Sequence, residues 1–252
     1  MKKRAYMVMG LKLKLKIEID KKYFKSDSLL NGRLVGKFFR ELSNNVFKQS
    51  SKYFEWAEKY EDGGEIPLLF GERNLYSVFA VAIDKITPVH LSEWSLNKTD
   101  FEGLENGRRV DFWCLHRNGA DGKVINYFIE IKKGHYCLNE NTMEEFAASV
   151  LKQAKSLTVQ TKTLKRIAPS WNESENVYLG IFVIHGYYRG GKEHYTEKHV
   201  RENIYKALDK RSKPHLILST WILPERMSKQ WDKDQCRFIS IAGIVIGEKP
   251  NS

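Results

Sequence analysis

Along residues 11–20 apolar and charged positions alternate strictly: Leu11, Leu13, Leu15, Ile17 and Ile19 stand against mostly basic neighbours. A period of two puts one set of side chains on one face, so this stretch predicts a half-exposed strand with a basic outer surface. From Ser28 to Tyr60 the period lengthens. Phe39, Leu42, Val46, Phe47, Phe54 and Ala57 recur near helical spacing, and Asp62-Gly63-Gly64 supplies the stop. Pro67 and Gly71 precede a second predicted helix over Glu72–Ile86, with Leu75, Tyr76, Phe79 and Ile83 on one side and Glu72 in its first turn. A strand is expected at Val89–Leu96. The runs Arg109–His116 and Val124–Lys132 follow as two more strands around the turn residues 118–123. A long amphipathic helix is predicted over Thr142–Ile167, with Phe146, Val150, Leu151, Leu157 and Leu164 on its apolar stripe and Lys152, Lys155 and Lys162 largely off it. Pro169 ends it. The apolar run Val177–His185 then reads as a buried strand. A loop Gly186–Gly191, a helix around Glu197–Lys210 and strands at His215–Leu223 and Cys236–Ile246 complete the chain.

Helix, three strands, helix, strand, then additions is the order of an α/β layered domain with a central mixed sheet. A helical crossover between the third and fourth strands of the set makes those two parallel neighbours. Residues 1–65 stand apart as a strand-helix extension, either a unit of its own or padding for the core, and residues 66–252 form the main domain with C-terminal additions.

The hairpin Gly107–Gly134 carries the chemistry. With the turn centred between Ala120 and Asp121, Asp111 falls opposite Glu130, and Lys132 points to the same face as Glu130. Paired Cβ atoms on a sheet are only about 4.5–5.5 Å apart, and like charges directly opposite destabilise it. The rest of both strands is apolar on either face: Val110, Phe112 and Cys114 on one, Trp113 and Leu115 on the other. Two carboxylates and an ammonium converging in such surroundings call for a counterpart. A divalent cation is one, since Mg²⁺ takes oxygen ligands at roughly 2.0–2.1 Å and is commonly held by one or two carboxylates with phosphate oxygens.

Charge adds a partner. The 252 residues hold 42 Lys+Arg against 31 Asp+Glu, a formal net charge of +11. A polyanion is favoured, nucleic acid before a membrane surface. Three scattered cysteines, Cys114, Cys137 and Cys236, imply no disulfide framework and point to a reducing compartment, the cytoplasm. No signal peptide or membrane span is read, because Lys12, Lys14 and Lys16 interrupt the short apolar stretch near the N-terminus.

Glu72 on the first helix of the main domain, Asp111 on its second strand and Glu130-Ile131-Lys132 on its third together resemble the PD-(D/E)XK nuclease superfamily over about residues 66–186. The resemblance implies a restriction-endonuclease-like core, αβββαβ, in a three-layer α/β/α arrangement. It implies a Mg²⁺-dependent deoxyribonuclease, with Mn²⁺ as a possible substitute, acting in restriction, defence, repair or recombination. Asp111, Glu130 and Glu72 would bind the metal with the main-chain carbonyl of Ile131, and Lys132 would orient or activate the attacking water. Gln153 sits where some branches carry a helix Gln, and Lys132-Lys133-Gly134 is similar to the ending found in nuclease domains of recombination helicases. Val110 stands where the family has Pro, and Leu157 where those nucleases have Tyr. Expected nucleic-acid contacts are Gln153, Lys133, Tyr188, Arg189 and Lys192, the last three in a loop mixing aromatics, glycines and cations. The other reading is a catalytically silent nucleic-acid-binding module on the same fold. A homodimer is possible, as cutting both strands of a symmetric site would suggest. Cys114-Leu115-His116 and His135-Tyr136-Cys137 do not make a zinc site on this register, because Cys114 pairs with Tyr127 and the two groups do not meet.

Overall fold

The computed structural model describes residues 15–21, 24–29, 31–60, 66–95, 109–117, 122–137, 175–189, 202, 215–228, 230–231 and 234–246. The expected helix at 142–167, the turn residues 118–121 and most of the expected helix at 197–210 lie outside them, as do Gln153 and Lys192.

The described elements run in the order β1 (Lys16–Asp20), α1 (Gly32–Tyr60), α2 (Glu72–Asp84), β2 (His90–Ser95), β3 (Arg109–Arg117), β4 (Val124–Cys137), β5 (Glu175–Arg189), β6 (His215–Ile222), β7 (Gln230–Trp231) and β8 (Asp234–Ile246). Seven strands form one mixed sheet in the order β1-β6-β8-β5-β4-β3-β2, with β7 paired to β8 beside that path. β4 and β5 are parallel, as the intervening length predicts, while β2–β3, β3–β4, β5–β8, β6–β8 and β1–β6 are antiparallel. The class is therefore α/β. No helix among the described residues is long and apolar enough to cross a membrane.

The two helices cover one face of the sheet. α1 buries Val35, Phe38, Phe39, Leu42, Val46, Phe47 and Phe54 at helical spacing. These residues join Leu75, Phe79 and Ile83 of α2 and Phe112, Ile129, Ile131, Leu179 and Ile181 of the strands in one continuous core. Phe38 stacks on Tyr127 with ring centroids 3.8 Å apart. Phe39 lies so close over β8 that a Cβ at Gly243 would stand 2.4 Å from its ring, so the helix is seated by the missing side chain. β5 is buried on both faces from Val177 through Gly186, which suits its position between a parallel and an antiparallel neighbour.

Two expectations are corrected. Gly186–Arg189 is strand rather than loop. β5 continues its ladder with β8 beyond a register shift at Gly186/Tyr187, and with β4 as far as Cys137↔Tyr187, so main-chain hydrogen bonds keep the segment extended. Val110 does not share a face with Phe112 and Cys114. It packs with Phe128, Tyr178, Trp94 and Trp113 on the side of the sheet away from α1 and α2. The β2–β3 pairing passes from Ser92↔Phe112 to Trp94↔Val110, and Glu93 between them has φ 48°. A left-handed residue interrupts the pleat, and the alternation of β3 breaks opposite it, at Asp111.

Candidate functional site

The β3–β4 register is the one the turn dictates. Phe112 pairs with Ile129, Trp113 with Phe128, and Cys114 with Tyr127. One step beyond Phe112↔Ile129 brings Asp111 abreast of Glu130, and there the regular ladder stops. The Asp111 side chain takes over the ladder's role: its Oδ2 accepts a hydrogen bond from the main-chain N–H of Ile131 at 2.7 Å. Its Oδ1 accepts one from the Tyr76 hydroxyl at 2.8 Å. Both oxygens of a carboxylate that is only 8% exposed are thus fixed by donors.

Helix α2 delivers the other half. The turn Pro67–Leu69 buries Leu68 and Leu69, and Lys133 on β4 donates to the carbonyl oxygens of Leu69, at 2.9 Å, and Phe70. These bonds moor the entry of α2 to β4 immediately beyond Lys132. Glu72 and Tyr76, four residues apart, share one helix face. Tyr76 reaches Asp111 as described, with its ring set edge-on to Phe112, while Glu72 Oε1 accepts a hydrogen bond from Lys132 Nζ at 2.9 Å. The same ammonium lies 3.7 Å from Glu130 Oε1. Glu130 Oε2 is buried without a hydrogen-bond partner.

Three carboxylates therefore gather about one ammonium, and burial sets the electrostatics. Burial, then the charge of Asp111, pushes Glu130 up from 4.5 to about 7; Lys132 and the Asp111 amide only partly oppose this. Burial also raises Asp111, against the Ile131 and Tyr76 hydrogen bonds and the charge of Lys132. For Lys132 burial acts downward, but the hydrogen bond and charge of Glu72, with Asp111 and Glu130 behind it, prevail and hold the ammonium above its usual value. Burial and the bond to Asp111 likewise keep the Tyr76 phenol protonated well above the ordinary range. With all four groups ionised the cluster is short of two positive charges, and Glu130 is the group that answers, by holding a proton or by meeting a cation.

Glu72, Asp111, Glu130, Lys132 and the backbone of Ile131 are brought together here. The contact Ile131 makes is through its N–H. Lys133, expected to face nucleic acid, has its ammonium on the Leu69 and Phe70 carbonyls; burial lowers its pKa. The backbone of Tyr188 and Arg189 lies in β5, opposite Gln235 and Asp234 of β8; their side chains lie outside the described residues. Tyr76, which the sequence places on the apolar stripe of its helix, instead turns its hydroxyl to Asp111; its four-residue spacing from Glu72 is the sequence signal for that role. Among the described residues no group of three or more His, Cys, Asp or Glu side chains is arranged to hold one metal ion. Cys114, fully buried, has its thiol pushed far up by burial, which suits a packing role. No protein-family model, curated protein or solved structure matches the chain.

Proposed function

We propose that the chain is a metal-dependent nuclease of the PD-(D/E)XK type, acting on DNA. α2, the meander β2–β3–β4 and β5 parallel to β4 would be the corresponding parts of that family's three-layer core. The observation that carries the reading is Glu130. Its carboxylate has one buried oxygen without a donor, Asp111 beside it and an ammonium alongside, and a hard cation such as Mg²⁺ or Mn²⁺ would answer that oxygen. By the resemblance Asp111, Glu130, Glu72 and the Ile131 carbonyl would hold the ion. In this structure Glu72 is turned to Lys132 and both Asp111 oxygens accept hydrogen bonds, so binding would have to draw these groups in around Glu130. A divalent cation there supplies a Lewis acid that acidifies water and clamps phosphate oxygens. The chain's own groups do the rest. Lys132 holds a water or steadies the charge that builds on the phosphate. Glu72 orients Lys132, and Tyr76 with the Ile131 amide favours the charged form of Asp111 against burial and holds it in place. The excess of 11 positive charges favours the polyanionic substrate.

Plasmid and single-stranded DNA incubated with Mg²⁺, Mn²⁺ or EDTA test this directly. Cutting should require the metal, vanish in Glu130→Ala and Asp111→Ala, and fall by about 10²–10³-fold in Lys132→Ala, with the circular dichroism spectrum of each variant unchanged. Metal-dependent cutting by clean Glu130→Ala protein would refute the assignment. One observation favours a silent binding module: Lys132 is already engaged by both Glu72 and Glu130. DNA binding with no cutting under any metal would decide for that reading.

A further inference from the structure

An open groove of about 460 Å³ lies between α1 and α2, lined by Gln49, Tyr53, Phe70, Asn74, Ser77 and Val81 among others. It takes no part in the carboxylate cluster. On α1 residues 49, 53, 56 and 60 are three or four apart and so share a face. Seven and more residues earlier the same sector carries Val35, Phe38 and Leu42, all in the core. Past Gln49 it emerges into solvent yet stays aromatic: Tyr53 is 53% exposed, Trp56 68% and Tyr60 59%. Single exposed aromatics are ordinary, but three in succession on one helix face form a patch. The Trp56 and Tyr60 rings lie 4.5 Å apart, centroid to centroid, and Lys59 Nζ sits 4.7 Å from the Tyr60 ring centre.

Cations flank the patch. Lys85, which caps the end of α2, donates to Gln49 Oε1 at 3.2 Å, and Lys48 and Lys52 are near enough that their charges add to burial in depressing its pKa. Of the acidic groups nearby, Glu55 of α1 stands between Lys52 and Lys59 and has a partner of its own, Glu58 is occupied by Arg226 at 3.3 Å, and Asp84 lies 3.6 Å from His90. Three ammonium groups held together repel one another, and a polyanion relieves that repulsion. An apolar helix would fill the groove and leave the lysines unanswered. A second copy docked isologously would bring the lysine cluster toward its own image.

We infer that this face binds single-stranded nucleic acid, with bases stacked on Tyr53, Trp56 and Tyr60 and phosphates met by Lys48, Lys52 and Lys85. Stacking on aromatic faces beside a basic groove is how unpaired strands are held without regard to sequence. The inference rests on the nucleic-acid reading above and adds a surface to it. Groove and cluster are joined through Phe70, which lines the first and whose carbonyl is bound by Lys133, next in the chain to Lys132.

The test is fluorescence anisotropy with a labelled oligo-dT strand in EDTA, so that binding is read without cutting. Tyr53→Ala/Trp56→Ala should weaken binding about tenfold or more. Lys48→Ala/Lys52→Ala/Lys85→Ala should lower the slope of log affinity against log salt by about 2, at roughly 0.7 per phosphate contact. The lysine variant removes surface charge and one exposed hydrogen bond, that to Gln49, and remains informative if the aromatic variant folds poorly. Wild-type affinity and salt slope in the lysine variant would overturn the inference. So would a wild-type dimer, seen by sedimentation, that Trp56→Ala dissolves without loss of strand affinity. If wild-type protein cuts DNA and the face variants bind normally, this inference falls alone. If the variants lose binding but nothing is cut under any metal, the nuclease reading falls and this one stands.

Discussion

Glu130→Gln, nearly isosteric, removes the charge on which the site turns. In the folded protein Glu130 titrates at about 7 against an ordinary 4.5, through burial first and Asp111 second. Below pH 4.5 both the folded and unfolded states hold this proton, and the group contributes nothing to the balance. Between 4.5 and about 7 the unfolded chain releases the proton while the folded chain retains it, so stability falls as pH rises. Above 7 both are ionised and the loss is complete. At about 1.4 kcal/mol per pH unit the full loss is about 3 kcal/mol, or roughly 6–12 °C in melting temperature for a chain of this size. Gln does not titrate, so Glu130→Gln should gain that much on wild type between pH 4.5 and 8 in EDTA, measured by thermal or urea unfolding. Divalent metal should recover the loss in wild type at pH 8, by about 2.7 kcal/mol at a hundredfold excess over Kd, and should do little for the variant. Parallel stability curves for the two proteins across this range would refute the reasoning, because Glu130 would then be an ordinary ionised carboxylate.

Tyr76→Phe removes one of the two donors that favour the charged form of Asp111; the acid limb of the pH–rate profile should move to higher pH, with kcat reduced about tenfold. Lys133→Met frees the Leu69 and Phe70 carbonyls; exchange of the first amides of α2 should quicken and metal-dependent cutting should fall, while urea stability drops by about 1–3 kcal/mol. A Cβ at Gly186 would stand 1.7 Å from the Phe238 ring, so Gly186→Ala should cost about 1–3 kcal/mol in urea unfolding. Phe38→Ala, which deletes the ring stacked on Tyr127, should cost about 3–5 kcal/mol by the same measurement.

Much of this was legible beforehand because it is local. A tight turn sets the register of its own hairpin, and Phe112↔Ile129 follows directly from the position of residues 118–123. Helical periodicity marked the buried stripes of α1 and α2, and an unbroken apolar run marked β5. Contacts between distant segments were less accessible. The Tyr76 hydroxyl was hidden by its place in an apolar stripe, since nothing local says that Asp111, 35 residues away, lies within reach. Lys133 reads as a surface cation until the Leu69 and Phe70 carbonyls, more than 60 residues earlier, are set beneath it. Val110 reads as a neighbour of Phe112 until Glu93, on another strand, breaks the pleat.

By itself the chain's pattern determined the α/β class, the limits of most strands to within a few residues and the meeting of Asp111 with Glu130, because periodicity and turn chemistry act over short stretches. Only the tertiary structure decided what that meeting costs. Glu130 is 14% exposed at its side chain and lacks a donor on one oxygen because α2 spends its nearest polar groups on Asp111 and Lys132. Desolvation depends on everything packed around a group, and that sum exists only once the chain has folded.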